Sequence, residues 1–258
     1  SSSFYQGGVP MSLAPEYWGK KNIYGFSMGV LMLKSSFPRV PGEIGNATTF
    51  DFPVLYRYVD EANAPNVVHE GKPEVLLEPY KRVARELESE GVGAITTNCG
   101  YLAKFQKELA ASVNIPVFTS SLMQIPLAYS MLKPDQVVGV MTFCKAALRQ
   151  EHFEGAGAWG TPMAVVGLEE EGEAHFYDVI INDRNFIDVE KCRKEHISAA
   201  RRLVDENPRV GAIVLECTNM PPYAADIHEV TGLPVFDIVT MMKYMHSNII
   251  KPRRAGYM

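Results

Sequence analysis

Cys99 and Cys217 are the two residues whose surroundings most clearly point to chemistry. Each closes a run that begins Val-Gly-Ala-Ile (VGAITTN before Cys99, VGAIVLE before Cys217), and each precedes a stretch that turns toward helix. A thiol titrates close enough to neutrality to take a proton as thiolate or return one as thiol. Racemisation at a carbon next to a carboxylate needs a base on one face of that carbon and an acid on the other, and two opposed thiols supply both. The polar residues beside the sulfurs, Thr97 and Asn98 on one side and Thr218 and Asn219 on the other, are placed to hold the carboxylate. A helix start just after each cysteine would favour the thiolate and present backbone N–H groups to an anion. The bland alternative is a pair of buried cysteines kept from a duplication, since free cysteine is often buried. The matched positions favour chemistry.

They match because the sequence repeats. Val92–Phe118 (VGAITTNCGYLAKFQKELAASVNIPVF) and Val210–Phe236 (VGAIVLECTNMPPYAADIHEVTGLPVF) align without a gap at an offset of 118 residues. Both read as strand, turn, helix, turn, strand, with the cysteine at the end of the first strand. Tyr24–Lys34 is an almost continuous apolar run, the mark of a strand buried on both faces, and Gln136–Phe143 (QVVGVMTF) echoes it. Another strand is expected at Met163–Leu168. Helical spacing or composition predicts helices over Glu74–Glu90, Leu122–Leu132, Lys145–Phe153, Val189–Asn207 and Val239–Ile250, and a short one over Phe50–Val59.

This alternation predicts an α/β protein of two pseudosymmetric doubly wound lobes, each a four-stranded parallel sheet flanked by helices. The active site then falls in the interlobe cleft, beyond the carboxyl ends of the strands. Lobe one takes residues 1–126 and 238–258, including an N-terminal polar arm and a returning C-terminal helix; lobe two takes 127–237. The loop Ser35–Thr49 (SSFPRVPGEIGNATT) is long for a compact domain and is expected to close over substrate, with Gly42 and Gly45 as hinges. Arg39 within it is a candidate partner for a second acid group on the substrate.

Composition narrows the classes. The chain has 258 residues, 47% of them hydrophobic, and a net charge of −5. That charge argues against nucleic-acid or anionic-membrane partners, and no apolar run reaches the ~20 residues of a membrane span. The opening SSSFYQGGVPMSLAPEYWGKK lacks the pattern of a signal peptide. Four cysteines without dense spacing suit a reducing compartment, so the expected location is cytoplasmic. The six histidines are scattered singly, and GxGxxG, P-loop and G-x-S-x-G patterns are absent. No metal and no cofactor are expected. Cys144 and Cys192 read as structural. Ser120 and Ser121, at a strand end, either donate to substrate or cap the helix beginning at Leu122. A homo-oligomer is the default by base rate.

The segments ITTNCGY, PVFTSS, GVMTF and LECTNMPPY…TGLPVFD resemble the aspartate/glutamate/hydantoin racemase superfamily, over roughly Tyr24 to Ile250. The resemblance implies deprotonation and reprotonation by Cys99 and Cys217 without pyridoxal phosphate or metal. It implies carboxylate binding by Asn98, Gly100, Thr218 and Asn219, and by Thr142 at the first strand end of lobe two. Tyr101 joins these candidates as a neighbour of the first cysteine. Two departures set the chain apart from the glutamate racemases. Gly100-Tyr101 stands where they have Asn-Thr after the first cysteine, and Asn219 where they have a His beyond the second. The Pro41–Val59 segment together with LECTNMPPY is closer to a branch similar to the algal dimethylsulfoniopropionate lyases, in which a cysteine base removes the proton next to a carboxylate and dimethyl sulfide leaves. The leading expectation is a two-cysteine racemase or epimerase of an amino-acid-like molecule. A β-eliminating lyase is second, and a non-catalytic small-carboxylate binding protein third.

Overall fold

The computed structural model describes residues 19, 21, 23–69 and 73–252. The polar arm expected over residues 1–22 lies almost wholly outside them.

Two four-stranded parallel sheets form the frame. The first has the order β2-β1-β3-β4, built from β1 (Met28–Lys34), β2 (Val54–Asn63), β3 (Ala94–Thr97) and β4 (Val117–Phe118). The second repeats it as β6-β5-β7-β8, from β5 (Val137–Thr142), β6 (Met163–Gly167), β7 (Val210–Leu215) and β8 (Val235–Phe236). The central strands β3 and β7 are buried at every position, as helices on both faces require. Flanking helices follow their apolar stripes: Leu77–Glu90 turns Tyr80, Val83, Ala84 and Leu87 inward, each large one contributing about 2 kcal/mol by burial. The last helix, Ile238–Ile249, packs Ile238, Val239 and Met242 against Met28 and Val30 of the first sheet. No helix among the described residues is long and apolar enough to cross a membrane.

The repeat holds down to single hydrogen bonds. Ile95 N–H donates to the Pro116 carbonyl and Ile213 N–H to that of Pro234, both at 2.9 Å. Asn98 N–H reaches the Leu31 carbonyl at 3.0 Å, and Glu216 N–H reaches that of Met141 at 2.8 Å. Asn98 and Glu216 therefore occupy one position in the two lobes, directly before the cysteines.

One expected element is of the other kind. Phe50–Val59 contains no helix; its second half belongs to β2, at the edge of the first sheet. The buried residues of that strand are Leu55, Val59 and Ala62, four and three apart, which imitates a helical period. Pairing with β1 is regular from Met28 against Val54 to Leu33 against Val59, and the register shifts only beyond, where Lys34 meets Asn63.

Candidate active site

The two repeated strands end facing one narrow cavity of about 30 Å³, room for about one or two waters. Cys99 and Cys217 both line it, with Asn98, Gly100 and Tyr101 from one lobe and Glu216, Thr218 and Asn219 from the other. Its remaining wall is apolar: Leu33, Phe37, Ala64, Val68, Phe143 and Ile180. The sequence places the cysteines here because each follows the last residues of a buried central strand: Cys99 runs straight into the 3₁₀ segment Gly100–Phe105, and Cys217 into a turn that leads to the 3₁₀ segment Pro221–Tyr223. Leu102 N–H donates to the Cys99 carbonyl at 3.1 Å and Met220 N–H to the Cys217 carbonyl at 3.2 Å.

Both thiols are held in the neutral form. Burial, then the Glu216 carboxyl, pushes Cys99 up to about 12. The same two causes, in the same order, raise Cys217 well above its ordinary range. The counteracting hydrogen bonds come from the backbone N–H groups of Tyr101 and Asn219, one residue beyond Gly100 and Thr218. Cys217 Sγ also accepts from Asn219 Nδ2 at 3.7 Å.

Glu216 is the residue that sequence reasoning passed over. It is fully buried, and burial raises its carboxyl to about 7 against the pull of two donors. Those donors, the Thr142 hydroxyl at 2.8 Å and Phe143 N–H at 3.2 Å, both reach Oε2. Among the described residues Oε1 has no partner, and neither does Nδ2 of Asn98, the residue at the matching position. Asn98 Oδ1 accepts from Leu33 N–H at 2.9 Å, just as Oε2 accepts from Phe143 N–H. A signal was available in the gapless alignment of the repeats, which sets a charged residue opposite Asn98 at the end of an apolar strand.

Other candidates divide by what their polar atoms already do. Thr142 lies behind the cavity wall, committed to Glu216 and in contact with the Tyr101 hydroxyl at 3.1 Å. That hydroxyl donates to the Cys144 carbonyl at 2.7 Å and accepts Cys144 N–H at 3.0 Å. Thr218 donates its hydroxyl to the Asn98 carbonyl at 2.6 Å, joining the two lobes. Ser120 accepts from Leu122 N–H at 3.2 Å, so it caps the helical turn. Ser121 donates to the Leu215 carbonyl. Neither serine lines the cavity. Arg39 is ion-paired with the buried Glu43 and donates to Asn219 Oδ1 at 3.1 Å, so it touches the site through Asn219.

The loop Ser35–Thr49 is pinned, not loose. Asp183, from the second lobe, accepts Ser36 N–H, Ser36 Oγ–H and Phe37 N–H at 2.6, 2.7 and 2.9 Å. Gly42, at φ +95°, lets the chain turn where a β-carbon would lie 3.4 Å from Pro222. The glycine expected to act as a hinge marks a packed crossing between the lobes.

Comparison with known proteins agrees with this architecture. No protein-family model matches the chain. Unliganded arylmalonate decarboxylase superposes with a TM-score of 0.54 at 11% identity, covering 86% of this chain and 92% of the other. Glutamate racemase from Francisella tularensis subsp. tularensis SCHU S4, in complex with D-glutamate, superposes at 0.52 and 14% identity, covering 89% and 85%. The chain shares the fold of these two enzymes. Its curated sequence relatives lie on the branch noted from the motifs. A dimethylsulfoniopropionate lyase from Durusdinium sp. clade D is 28% identical over 244 residues, covering 91% of this chain and 79% of that one. Dimethylsulfoniopropionate lyase 5 from Emiliania huxleyi (strain CCMP1516) is 26% identical over 239 residues. The chain spans 45% of that relative's length and 61% of lyases 3 and 6 from the same strain.

Proposed function

We propose that the chain is a cofactor-independent enzyme that removes the proton next to a carboxylate with a cysteine thiolate, and that it acts as a lyase on a sulfonium carboxylate of the dimethylsulfoniopropionate type. The observation that carries this reading is the mixed lining of the cavity. Two thiols and the residues of two unpartnered polar atoms share it with aliphatic side chains and with Phe37 and Phe143. A dimethylsulfonio group is a cation clothed in methyls and suits such a wall, where aromatic rings attract soft cations. Names of the sequence relatives support the same substrate class.

Neutral thiols fit this substrate. A thiol raised by burial needs a nearby positive charge before it becomes a base, and the sulfonium brings one. The thiolate takes the α-proton, the C–H electron pair forms the α,β double bond, and the Cβ–S bond breaks with its electrons leaving on dimethyl sulfide. Acrylate and a protonated cysteine remain, and the thiol returns its proton to water. A second reading, racemisation of a small carboxylate, is favoured by the matched cysteines and by the fold.

Incubating the purified protein with dimethylsulfoniopropionate in D₂O, beside a panel of chiral amino and hydroxy acids, tests both. The expected result is dimethyl sulfide in the headspace and an equal amount of acrylate in solution. Loss of optical rotation in the panel with no sulfide released would replace the lyase by the racemase. Neither product would remove both.

A further inference from the structure

The two lobes repeat each other closely around the cysteines, and the departure from symmetry is informative. Asn98 on one side and Glu216 on the other each dock an oxygen on the N–H of the neighbouring strand end, and each leaves one terminal atom buried without a partner. Both residues line the cavity. The residue after each cysteine differs to match. Thr218 carries a hydroxyl that binds the Asn98 carbonyl. Its counterpart is Gly100, where a β-carbon would lie 2.1 Å from Glu216 Oε1. Position 100 is empty of side chain where Oε1 stands.

We propose that Glu216 and Asn98 are the carboxylate clamp of this site: Asn98 Nδ2–H donates to one substrate oxygen and a proton on Glu216 Oε1 donates to the other. This rests on the reading of the cavity as a site for a carboxylate. Three observations converge on it. Oε2 already accepts two hydrogen bonds, so in the acid form the proton belongs on Oε1, the atom left without a partner. No lysine, arginine or histidine among the described residues forms an ion pair with Glu216, so an ionised side chain would be a lone buried charge. A substrate carboxylate entering the same cavity disfavours that charge further.

The clamp makes binding pH-dependent in one direction. Glu216 titrates at about 7, so raising the pH puts a second carboxylate against the first. The titratable groups facing it are Cys99, Cys217 and Tyr101, all raised by burial above the neutral range. Behind Tyr101 lies His152, lowered to about 4 by burial. Lys104 acts on Cys99, and the Arg39–Glu43 pair lies beyond Asn219. None of the three groups facing Glu216 changes charge between pH 6 and 9.

Binding of propionate, measured by calorimetry on the whole chain from pH 6 to 9, tests the clamp without turnover. Wild-type affinity should fall by about tenfold per pH unit above about 7. Glu216→Gln, which keeps a donor and cannot ionise, should bind propionate at pH 6 within about threefold of wild type and stay flat to pH 9. Ethylammonium is the opposing probe. Tighter binding of ethylammonium than of propionate, increasing with pH, overturns the clamp and makes Glu216 a cation site. Flat or absent wild-type propionate binding also overturns it, as does an unchanged pH profile in Glu216→Gln. The wild-type profile stands even if the variant fails to fold. If dimethylsulfoniopropionate is not cleaved while propionate follows the expected profile, the lyase reading fails and the clamp remains.

Discussion

At the residue scale the site is governed by buried groups kept neutral, and Glu216 shows what that does to stability. Its carboxyl titrates at about 7 when folded and near its ordinary value of 4.5 when unfolded. Between those values the folded chain keeps a proton that the unfolded chain has released. The stability contributed by the neutral acid is therefore fully present below about 4.5 and is lost as pH rises through about 7. The loss is roughly 3 kcal/mol, from the size of the shift. His152 and His196, both lowered to about 4 by burial, act in the opposite sense, losing stability as pH falls from 6.5. Their effect is common to wild type and Glu216→Gln and cancels in the comparison. Urea unfolding of the two proteins at pH 4.5 and pH 8 should show the difference moving by about 3 kcal/mol in favour of glutamine at the higher pH. A pH-independent difference would mean that Glu216 stays ionised when buried.

At the element scale the question is how substrate reaches a cavity of about 30 Å³. Even a three-carbon acid needs more room, so a wall must move. The Ser35–Thr49 loop supplies Phe37 to the wall and is held across the lobes by Asp183. Asp183 itself sits at φ +49°, a left-handed conformation that costs a non-glycine residue about 1 kcal/mol or more. Three hydrogen bonds to its carboxylate offset that cost, each worth about 1.5–3 kcal/mol at best. Asp183→Ala should free the loop and speed alkylation of Cys99 and Cys217 by iodoacetamide at least about tenfold, followed by mass spectrometry of the cysteine peptides. Cys192, deep in the core, serves as the internal control. Equal acceleration at Cys192 would indicate general loosening, and no acceleration would place the door elsewhere. Asp183 also shows where sequence legibility stops. β1, β3, β5 and β7 were readable because buried parallel strands are continuous apolar runs, and the repeat located both cysteines. β2 was misread because its buried residues Leu55 and Val59 stand four apart, with half-buried or exposed residues between them, and the clasp was invisible because it joins residues about 147 positions apart. Glu216 was legible in principle, as the charged residue that the repeat sets opposite Asn98.

At the scale of the whole molecule, two lobes of one design have become unequal around a shared site. The frame retains the symmetry: strand order, cysteine positions and backbone hydrogen bonds correspond. The side chains next to the sulfurs do not, with Asn98 against Glu216, Gly100 against Thr218 and Tyr101 against Asn219. A racemase must work from both faces of its carbon and has reason to keep its halves alike; a lyase needs one base. In the lyase reading Cys217 is the base. Its sulfur accepts from the Asn219 amide at 3.7 Å, and Asn219 is in turn held by Arg39, whereas among the described residues no side-chain donor reaches the Cys99 sulfur. Burial and the nearby Glu216, Cys99 and Glu43 press the Cys217 thiol upward, so the charge of the bound sulfonium must decide. Cys217→Ser should then lower dimethyl sulfide release by about a thousandfold or more, while Cys99→Ser, which loses a group that orients substrate or protonates an intermediate, should lower it by about ten- to a hundredfold. Headspace analysis of both variants over pH 6–9 gives the comparison directly. Racemisation predicts a different pattern: both serine variants lose interconversion, yet each still exchanges the α-proton of one enantiomer with D₂O. Equal, complete loss of sulfide release in both variants would show two indispensable thiols and refute the assignment of Cys217 as sole base.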